Sequence, residues 1–322
     1  MWSPAPSPEL RGTAVSDEIM VFAPSPLITV TIEDRGGEPD IHVHAGGQGV
    51  WQARMISSLG VPVVLCAALG GEIGEVLRHL IAVEGIELDA EPVGARNGGY
   101  VHDRRGGQRR SIAEAPGVAL DRHELDGLYE RTLTRGLDTS VSLLSGPHDD
   151  RIIPASMYRR LTTDLSANGC QVIGDLSGQQ LEAMLAGGPF LIKVSHHELL
   201  RDGWAGSEQP AELVGAMHRL RKNGANSVIV SRADEPALAL VDDEVLEVRV
   251  PPLEPADSRG AGDSMTAGIA ASLTRGESLL TALRVGAACG ALNVVHRGLG
   301  TGGIAAVATV MQRTEIRRWN IG

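Results

Sequence analysis

The chain has 322 residues, enough for one large α/β domain or two small ones. Its formal net charge of -11 argues against a sequence-independent nucleic-acid binder, because such a protein needs a basic surface to neutralise phosphates. The 40 glycines and the 3% share of aromatic residues predict many tight turns and a core of Leu, Val, Ile and Ala.

The N-terminus and the cysteines both favour a cytoplasmic protein. Residues 1–18 contain several prolines and no apolar stretch, which predicts a mobile leader and not a signal peptide or a membrane anchor. No apolar run in the sequence reaches the roughly 18 residues of a membrane-spanning helix. The three cysteines are far apart, lack the spacing of a zinc site and are predicted to be buried reduced thiols: Cys66, Cys170 and Cys289.

Predicted strands and helices alternate along most of the chain. The first part contains predicted strands at 19–23, 27–32, 61–69 and 86–92 and helices at 50–59 and 73–84. The middle contains predicted helices at 121–134, 154–168, 178–187 and 210–223, strands at 139–145, 170–175, 189–193 and 226–231, and a hairpin at 236–250. The last part is helical, at 265–274, 279–295 and 303–315. This alternation is typical of a doubly wound, mostly parallel sheet flanked by helices, with residues 19–322 as one α/β domain.

Two polar segments interrupt this alternation, at about 31–45 and 94–112. Their glycine pairs and charged runs predict hairpins outside the core, which together would form a small β-sheet lid. Exposed strand edges and one apolar face on such a lid favour a homodimer that forms through it. A lid that packs only on its own domain, over the substrate, is the alternative.

The strongest local signal is the run Gly260-Ala261-Gly262-Asp263, directly before a helix of small residues. Glycines at this position leave backbone N–H groups free to bind an anion, aided by the helix dipole. A carboxylate beside them can accept the proton of an attacking hydroxyl during phosphoryl transfer. The alternative is a tight turn in which Asp263 only caps the helix.

Six segments, in order and spacing, resemble the PfkB carbohydrate kinase family, and most closely its 1-phosphofructokinase and tagatose-6-phosphate kinase branch. They are Ala23-Pro24-Ser25-Pro26, 45–49 with Ala53-Arg54, Leu144-Ser145-Gly146, Asp175-Leu176-Ser177-Gly178, Leu191-Ile192-Lys193 with Glu198-Leu199, and 260–265. The resemblance implies a ribokinase-like fold and ATP-dependent phosphorylation of a hydroxyl of a sugar or sugar phosphate. It also implies ATP and Mg²⁺ as cofactors and a dimer.

By the same resemblance, Asp263 is the catalytic base and the backbone of Gly260, Ala261 and Gly262 forms the anion hole. The nucleotide would be bound by Lys193, Glu198, Ser231, Ser258, Gly260 and Gly262, with Glu198 reaching Mg²⁺ through water. Besides Asp263, the substrate would be bound by Thr29, Gly46, Gly47, Gly49, Trp51 and Ser145. An ordinary strand-end salt bridge between Lys193 and Glu198 is the alternative for that pair.

Several positions depart from the family pattern. Thr29 stands where the family has a sugar-binding Asp, and Trp51 where it has an Asn; Trp51 could stack on a ring or pack beneath the lid. Ser195 replaces the Asn of the Asn-x-x-Glu motif, and residues 231–236 lack the usual two glycines. The alternatives are therefore a kinase-derived binding protein with weak or lost transfer, or a kinase for a non-phosphorylated sugar or nucleoside.

The cations that the sugar-phosphate branch carries in its lid have no clean match in this sequence. The nearby candidates are Arg35, His42, His44, Arg96 and Asn97. His42 and His44 share one strand face, as a metal pair would, but no third ligand stands at a suitable spacing.

Overall fold

The computed structural model describes residues 16–107, 109–254, 256, 259–295, 300 and 302–320. Within these residues the strands are β1 (Ser16–Phe22), β2 (Leu27–Arg35), β3 (Glu38–Gly46), β4 (Val63–Leu69), β5 (Glu87–Pro92), β6 (Gly98–Asp103), β7 (Arg110–Ala115), β8 (Thr139–Ser145), β9 (Gln171–Asp175), β10 (Leu191–Ser195), β11 (Ser227–Arg232), β12 (Glu235–Val241), β13 (Glu244–Arg249) and β14 (Glu315–Arg318). The helices are α1 (Gln48–Ser58), α2 (Gly71–Val83), α3 (Arg122–Leu137), α4 (Ala155–Ala167), α5 (Gly178–Leu185), α6 (His196–Arg201), α7 (Pro210–Lys222), α8 (Ala261–Thr274), α9 (Leu279–Val295) and α10 (Ile304–Gln312).

Ten strands form the main sheet, in the order β14-β13-β12-β11-β10-β9-β8-β1-β4-β5. The strands from β11 to β5 in this order are paired in parallel, and β12, β13 and β14 extend one edge in antiparallel fashion. Strand β4 is buried along its whole length, which is what a parallel strand covered on both faces requires. Its continuous apolar sequence, Val-Val-Leu-Cys-Ala-Ala-Leu, follows from that position.

Helices cover both faces of the sheet and enclose two separate cores. One core contains residues of α1, α2, α8, α9 and α10, such as Leu77 and Ile269. The other contains residues of α3 to α7, such as Leu128 and Leu213. The prediction of a doubly wound, mostly parallel sheet is therefore confirmed.

A second sheet of four strands, ordered β3-β2-β6-β7, forms the lid. Its strands lie within residues 27–46 and 98–115, compared with the predicted segments of about 31–45 and 94–112. The strand register places Val30, Val43 and Val101 side by side on one face, and Thr29, His44 and Tyr100 on the other. Ile41 and Val43 on the apolar face have 63% and 43% of their surface exposed. The lid therefore has one apolar, solvent-exposed face and one polar face.

Some element boundaries differ from the predictions. Strand β1 begins at Ser16, inside the predicted leader; residues 1–15 lie outside the described residues. Helix α8 begins at Ala261, earlier than predicted, and α6 was not predicted. Helix α10 ends at Gln312, and the chain then forms the edge strand β14, where the helix was expected to continue.

The three cysteines are free thiols and all are buried, as predicted. Burial raises the pKa values of the Cys66 and Cys289 thiols to about 12, so both stay protonated at neutral pH. Among the described helices, none has the length and apolar character needed to cross a bilayer.

Candidate active site

A cavity of about 310 Å³ lies at the carboxyl ends of the parallel strands, between β1 and β8. The chain runs from β1 towards β5 on one side of this point and from β8 towards β11 on the other, so the cavity lies at the switch point where open α/β sheets bind ligands. Residues after β1, at the start of α1, after β8 and on the lid form its wall, together with three acidic side chains. They include Ala23, Ser25, Leu27, Gly47, Gln48, Gly49, Trp51, Tyr100, Gly146, His148, Asp175, Glu198 and Asp263.

Asp263 lies in the first turn of α8, half-buried at the wall of the cavity. Gly260 begins this helix with φ 71°, a left-handed conformation that glycine adopts without strain. The first intrahelical bond runs from the Ser264 N–H to the Gly260 carbonyl, 2.9 Å. The N–H groups of Ala261, Gly262 and Asp263 precede that bond and have no acceptor within the helix. The N–H groups predicted to bind an anion and the Asp263 carboxyl group therefore lie at the same helix end.

The surroundings of Asp263 disfavour its charged form. Burial and the nearby Asp175 raise the pKa of Asp263 to about 7, while Lys193 and a hydrogen bond from Gln48 act in the opposite direction. The Gln48 side chain is fixed at its other end, because its Oε1 accepts a bond of 2.8 Å from the Gly146 N–H. A carboxyl group with a pKa near 7 is suited to accept a proton at neutral pH.

Lys193 and Asp175 form a buried ion pair beside Asp263. The Lys193 Nζ donates to the Asp175 Oδ1 at 2.8 Å, and the Asp175 Oδ2 accepts from Gln52 at 3.1 Å and from Thr266 at 2.8 Å. A Cβ added at Gly262 would lie 2.6 Å from the Lys193 Nζ, so the ammonium group sits directly against the first turn of α8. Both oxygens of Asp175 are thus engaged within the protein.

The charge of Lys193 is retained in spite of its burial. Desolvation acts to lower the pKa of Lys193, but the carboxylates of Asp175, Glu198 and Asp263 outweigh it and raise the pKa above its ordinary value. A buried ammonium that stays charged beside free N–H groups forms a positive site for phosphate oxygens. The bonded partner of Lys193 is Asp175, and not Glu198 as the salt-bridge alternative held.

Glu198 is held by Ser195 in a capping box at the start of α6. The Glu198 Oε2 accepts from the Ser195 N–H at 2.7 Å and from the Ser195 Oγ at 2.8 Å. Both bonds use the same carboxylate oxygen, and the side chain lines the cavity. The residue that replaces the family's Asn therefore positions Glu198, and an oxygen ligand suitable for hydrated Mg²⁺ is present.

The diglycine segment brings backbone close to the cavity. Gly47 has φ 105° and a Cβ added at Gly49 would lie 2.4 Å from the Cβ of Ala23, so both positions require glycine. Trp51 lines the cavity from the next turn of α1. Gly46 lies slightly behind them, where an added Cβ would meet the Thr29 hydroxyl at 2.4 Å.

Besides Lys193, Gly46 and residues 260–262, three predicted site residues within the described part of the chain are not among the cavity lining. Ser145 is fully buried and its hydroxyl donates to Gln52, so it supports the wall from behind. Thr29 lies on the polar face of the lid, and its buried hydroxyl has no hydrogen-bond partner. Ser231 lies at the end of β11, where its carbonyl oxygen contacts His196. Ser258 falls outside the described residues.

The residues considered from the sequence as lid cations, or as a histidine pair for a metal, are also not among the cavity lining. Asn97 is buried in a structural role, since it accepts from the Gly70 N–H and donates to two backbone carbonyls. His42 and His44 stack on each other on the lid, and Arg35 is 84% exposed beside Asp40.

The structure instead groups other cations near the cavity. The Arg109 guanidinium lies 5.0 Å from the ring centre of Tyr100, a cavity residue, and contacts His102. Burial and the nearby Arg259 lower the pKa of Arg109. Arg259 directly precedes Gly260, so the lid and the start of α8 each bring an arginine to this place. No local pattern in the sequence marks this grouping, because it depends on how the lid packs against the start of α8.

The comparisons with known proteins agree with this geometry. Residues 27–305 match the family model described as pfkB family carbohydrate kinase. The chain belongs to this family. The 1-phosphofructokinase of Xanthomonas campestris pv. campestris is 31% identical over 242 residues, which is 71% of this chain and 73% of that protein. The 1-phosphofructokinase of Escherichia coli is 27% identical over 290 residues, covering 86% and 89%.

Among solved structures, phosphofructokinase-2 from Escherichia coli in complex with potassium aligns with a TM-score of 0.80. It covers 92% of this chain and 98% of that one, at 24% identity, so the likeness shows a common fold. The predictions of the PfkB family, of the ribokinase-like fold and of a carbohydrate kinase are confirmed.

Proposed function

We propose that this pfkB-family kinase transfers the γ-phosphoryl group of ATP to a hydroxyl of a sugar monophosphate, with Asp263 as the base. The observation that carries the proposal is the carboxyl group of Asp263 at the cavity wall, in the same helical turn as N–H groups that have no intrahelical acceptor. An acceptor hydroxyl in the cavity would donate its proton to Asp263. The N–H groups of Ala261 and Gly262 would bind the negative charge that develops on the transferred group.

The residues present fit a nucleotide and Mg²⁺. Lys193 offers a charged ammonium beside the first turn of α8, and Glu198 offers a cavity-lining carboxylate held in place by Ser195. Bound Mg²⁺ would neutralise charge on the phosphates of ATP. Glu198 is the better candidate to hold it, through water, because both oxygens of Asp175 already accept bonds from protein side chains.

Arg109 supports an acceptor that already carries a phosphate. It lies over Tyr100 at the cavity, near Arg259, and like charges of this kind are stabilised by an anion between them. Arginine is well suited to bind a phosphate group. Arg109, directly before β7, and Arg259, directly before Gly260, would then take the place of the lid cations of the sugar-phosphate branch.

The Arg109→Gln variant tests the acceptor class. A charge-assisted hydrogen bond contributes about 1.5–3 kcal/mol, so the KM for hexose monophosphates should rise roughly 10- to 100-fold. The KM for ATP should stay unchanged. The activity of the matched variant Arg110→Gln should also stay unchanged, because the side chain of this neighbouring residue is 77% exposed. ADP release would be measured across hexose monophosphates and the corresponding free hexoses.

Turnover with free hexoses only, or an equal KM in both variants, would contradict the phosphate-binding role of Arg109. Ligand-induced thermal stabilisation without any ADP release would instead favour a binding protein that has lost transfer.

The apolar face of the lid supports assembly into a homodimer. Ile41 and Val43 on strand β3 are exposed, beside Val30 and Ile32 of β2 on the same face. Pairing with the lid of a second copy would remove this apolar surface from water.

A further inference from the structure

Two histidines and a glutamate come together at the end of β10, and none of them lines the cavity. The Glu208 Oε1 lies 3.9 Å from the His196 Nε2 and 4.0 Å from the His197 Nδ1. All three potential ligand atoms lie within 4.8 Å of one another. His196 and His197 open α6, whereas Glu208 lies in the loop before α7. The group therefore joins two segments that are apart in sequence.

His196 is already oriented as a metal-binding histidine would be. The residue is 7% exposed, and its Nδ1 lies 3.2 Å from the carbonyl oxygen of Ser231. A carbonyl can only accept, so the Nδ1 carries the proton and donates. The Nε2 is left with its lone pair on the side of Glu208 and His197. Metal-binding histidines usually donate their second ring N–H in this way, which fixes the tautomer and the ring.

We propose that His196, His197 and Glu208 bind a divalent transition metal ion of the Zn²⁺ class. Two imidazoles and one carboxylate are a ligand set that zinc accepts, with bonds of roughly 2.0–2.2 Å. The ligand atoms are somewhat too far apart for those bonds. The side chains of His197 and Glu208 are 72% and 63% exposed, so small rotations can bring them together around the ion.

This site differs in chemistry from the Mg²⁺ site proposed at Glu198. Nitrogen ligands suit zinc, cobalt, nickel and copper, whereas Mg²⁺ prefers oxygen ligands and keeps its water. Three protein ligands would leave one position of a tetrahedral ion for water. The ion would tie the loop that carries Glu208 to α6 and, through His196, to the end of β11.

Binding of Co²⁺ to the full chain, without a histidine tag, tests the proposal. Visible absorption reports nitrogen-coordinated Co²⁺ directly, and calorimetry with Zn²⁺ gives the affinity and the number of ions bound. We expect one ion per chain, and a loss of affinity of about tenfold or more in His197→Ala and in Glu208→Gln. Both side chains are exposed, so these variants should fold normally. Excess Mg²⁺ should not displace the ion.

The controls are His218→Ala and Glu212→Gln, exposed residues of the neighbouring α7. Both should bind as the unmodified protein does. Absence of Co²⁺ absorption in the unmodified protein would overturn the proposal, leaving the three residues as an ordinary ion pair. An affinity of His197→Ala and of Glu208→Gln equal to that of the unmodified protein would overturn it too, as would complete displacement by Mg²⁺. None of these readouts depends on turnover, so they are independent of the proposed kinase reaction.

Discussion

Replacing Asp263 by Asn should strongly lower turnover and, at pH 8, stabilise the folded protein. The rise of the Asp263 pKa from 3.8 to about 7 means that the folded protein accommodates this carboxylate less well than water does. In full, the rise corresponds to about 4 kcal/mol, since one pKa unit is about 1.4 kcal/mol. Because Asp263 is only half-buried beside an open cavity, solvent screening should reduce the gain to about 2 kcal/mol.

The sign of the pH dependence follows from linkage. A carboxyl group with a raised pKa contributes stability that is present below its unfolded-state pKa and is lost as the pH rises through its folded-state pKa. The unmodified protein should therefore lose this contribution between about pH 4 and pH 8, and Asp263→Asn should not. The advantage of the variant should be smaller at pH 5 than at pH 8, where it is complete, because at pH 5 only part of the contribution has been lost. In the unmodified enzyme, kcat/KM should rise as the pH passes through about 7, because the base must be deprotonated.

Urea unfolding at pH 5 and pH 8 measures the stability, and ADP release measures turnover. Loss of the base should lower kcat by about 10²- to 10⁴-fold. The matched control is Asp138→Asn, which should change neither the stability nor kcat. Asp138 is an exposed residue after α3, at the end of the sheet opposite the cavity. The reasoning fails if Asp263→Asn keeps near-normal turnover. It also fails if this variant gains no stability at pH 8 relative to pH 5.

Two further predictions concern the loop after β11 and the lid. Ala233 has φ 52°, a left-handed conformation that costs about 1–2 kcal/mol without glycine, so Ala233→Gly should raise the free energy of unfolding by about 0.5–1 kcal/mol after its own entropy cost. Ala237→Gly, in the regular strand β12, should lower it instead, and urea unfolding of both variants distinguishes strain relief from a general effect. Ile41→Glu should convert a lid-mediated dimer to monomers, as measured by sedimentation velocity. His42→Glu, on the opposite face of the lid, should leave the dimer intact. A dimer that persists in Ile41→Glu excludes this interface.

The sequence predicts the main sheet well because its strands are buried on both faces. A strand such as β4 must be apolar at every position, and that run of residues is visible without any tertiary information. The short helix α6 was missed because six residues carry little periodic signal. Its capping box, Ser195 with Glu198 three positions later, was available as a signal. Strand β14 was missed because a helix directly precedes it and nothing local marks an edge strand of four residues.

The candidate site was predictable only where its groups lie in consecutive residues. The run from Gly260 to Asp263 shows both the free N–H groups and the carboxylate. The bond between Lys193 and Asp175 joins two different strands, and the contact of Gln52 with Asp175 spans 123 positions. Such pairs depend on how strands are ordered in the sheet, which periodicity does not reveal. The placement of Arg109 near Arg259 has the same cause.

The buried contacts explain how residues at the cavity wall can change while the arrangement around Asp263 stays. Asp175 anchors Lys193 and also raises the pKa of Asp263, so one buried carboxylate affects both side chains. Loss of the Asp175 carboxylate would leave Lys193 buried without its bonded partner, which is strongly destabilising. Trp51 lines the cavity but takes no part in those side-chain bonds, and the departure there carries no comparable penalty. Selection on the acceptor can therefore act on the lid and the cavity wall, while folding stability itself preserves the arrangement of Asp175, Lys193 and Asp263.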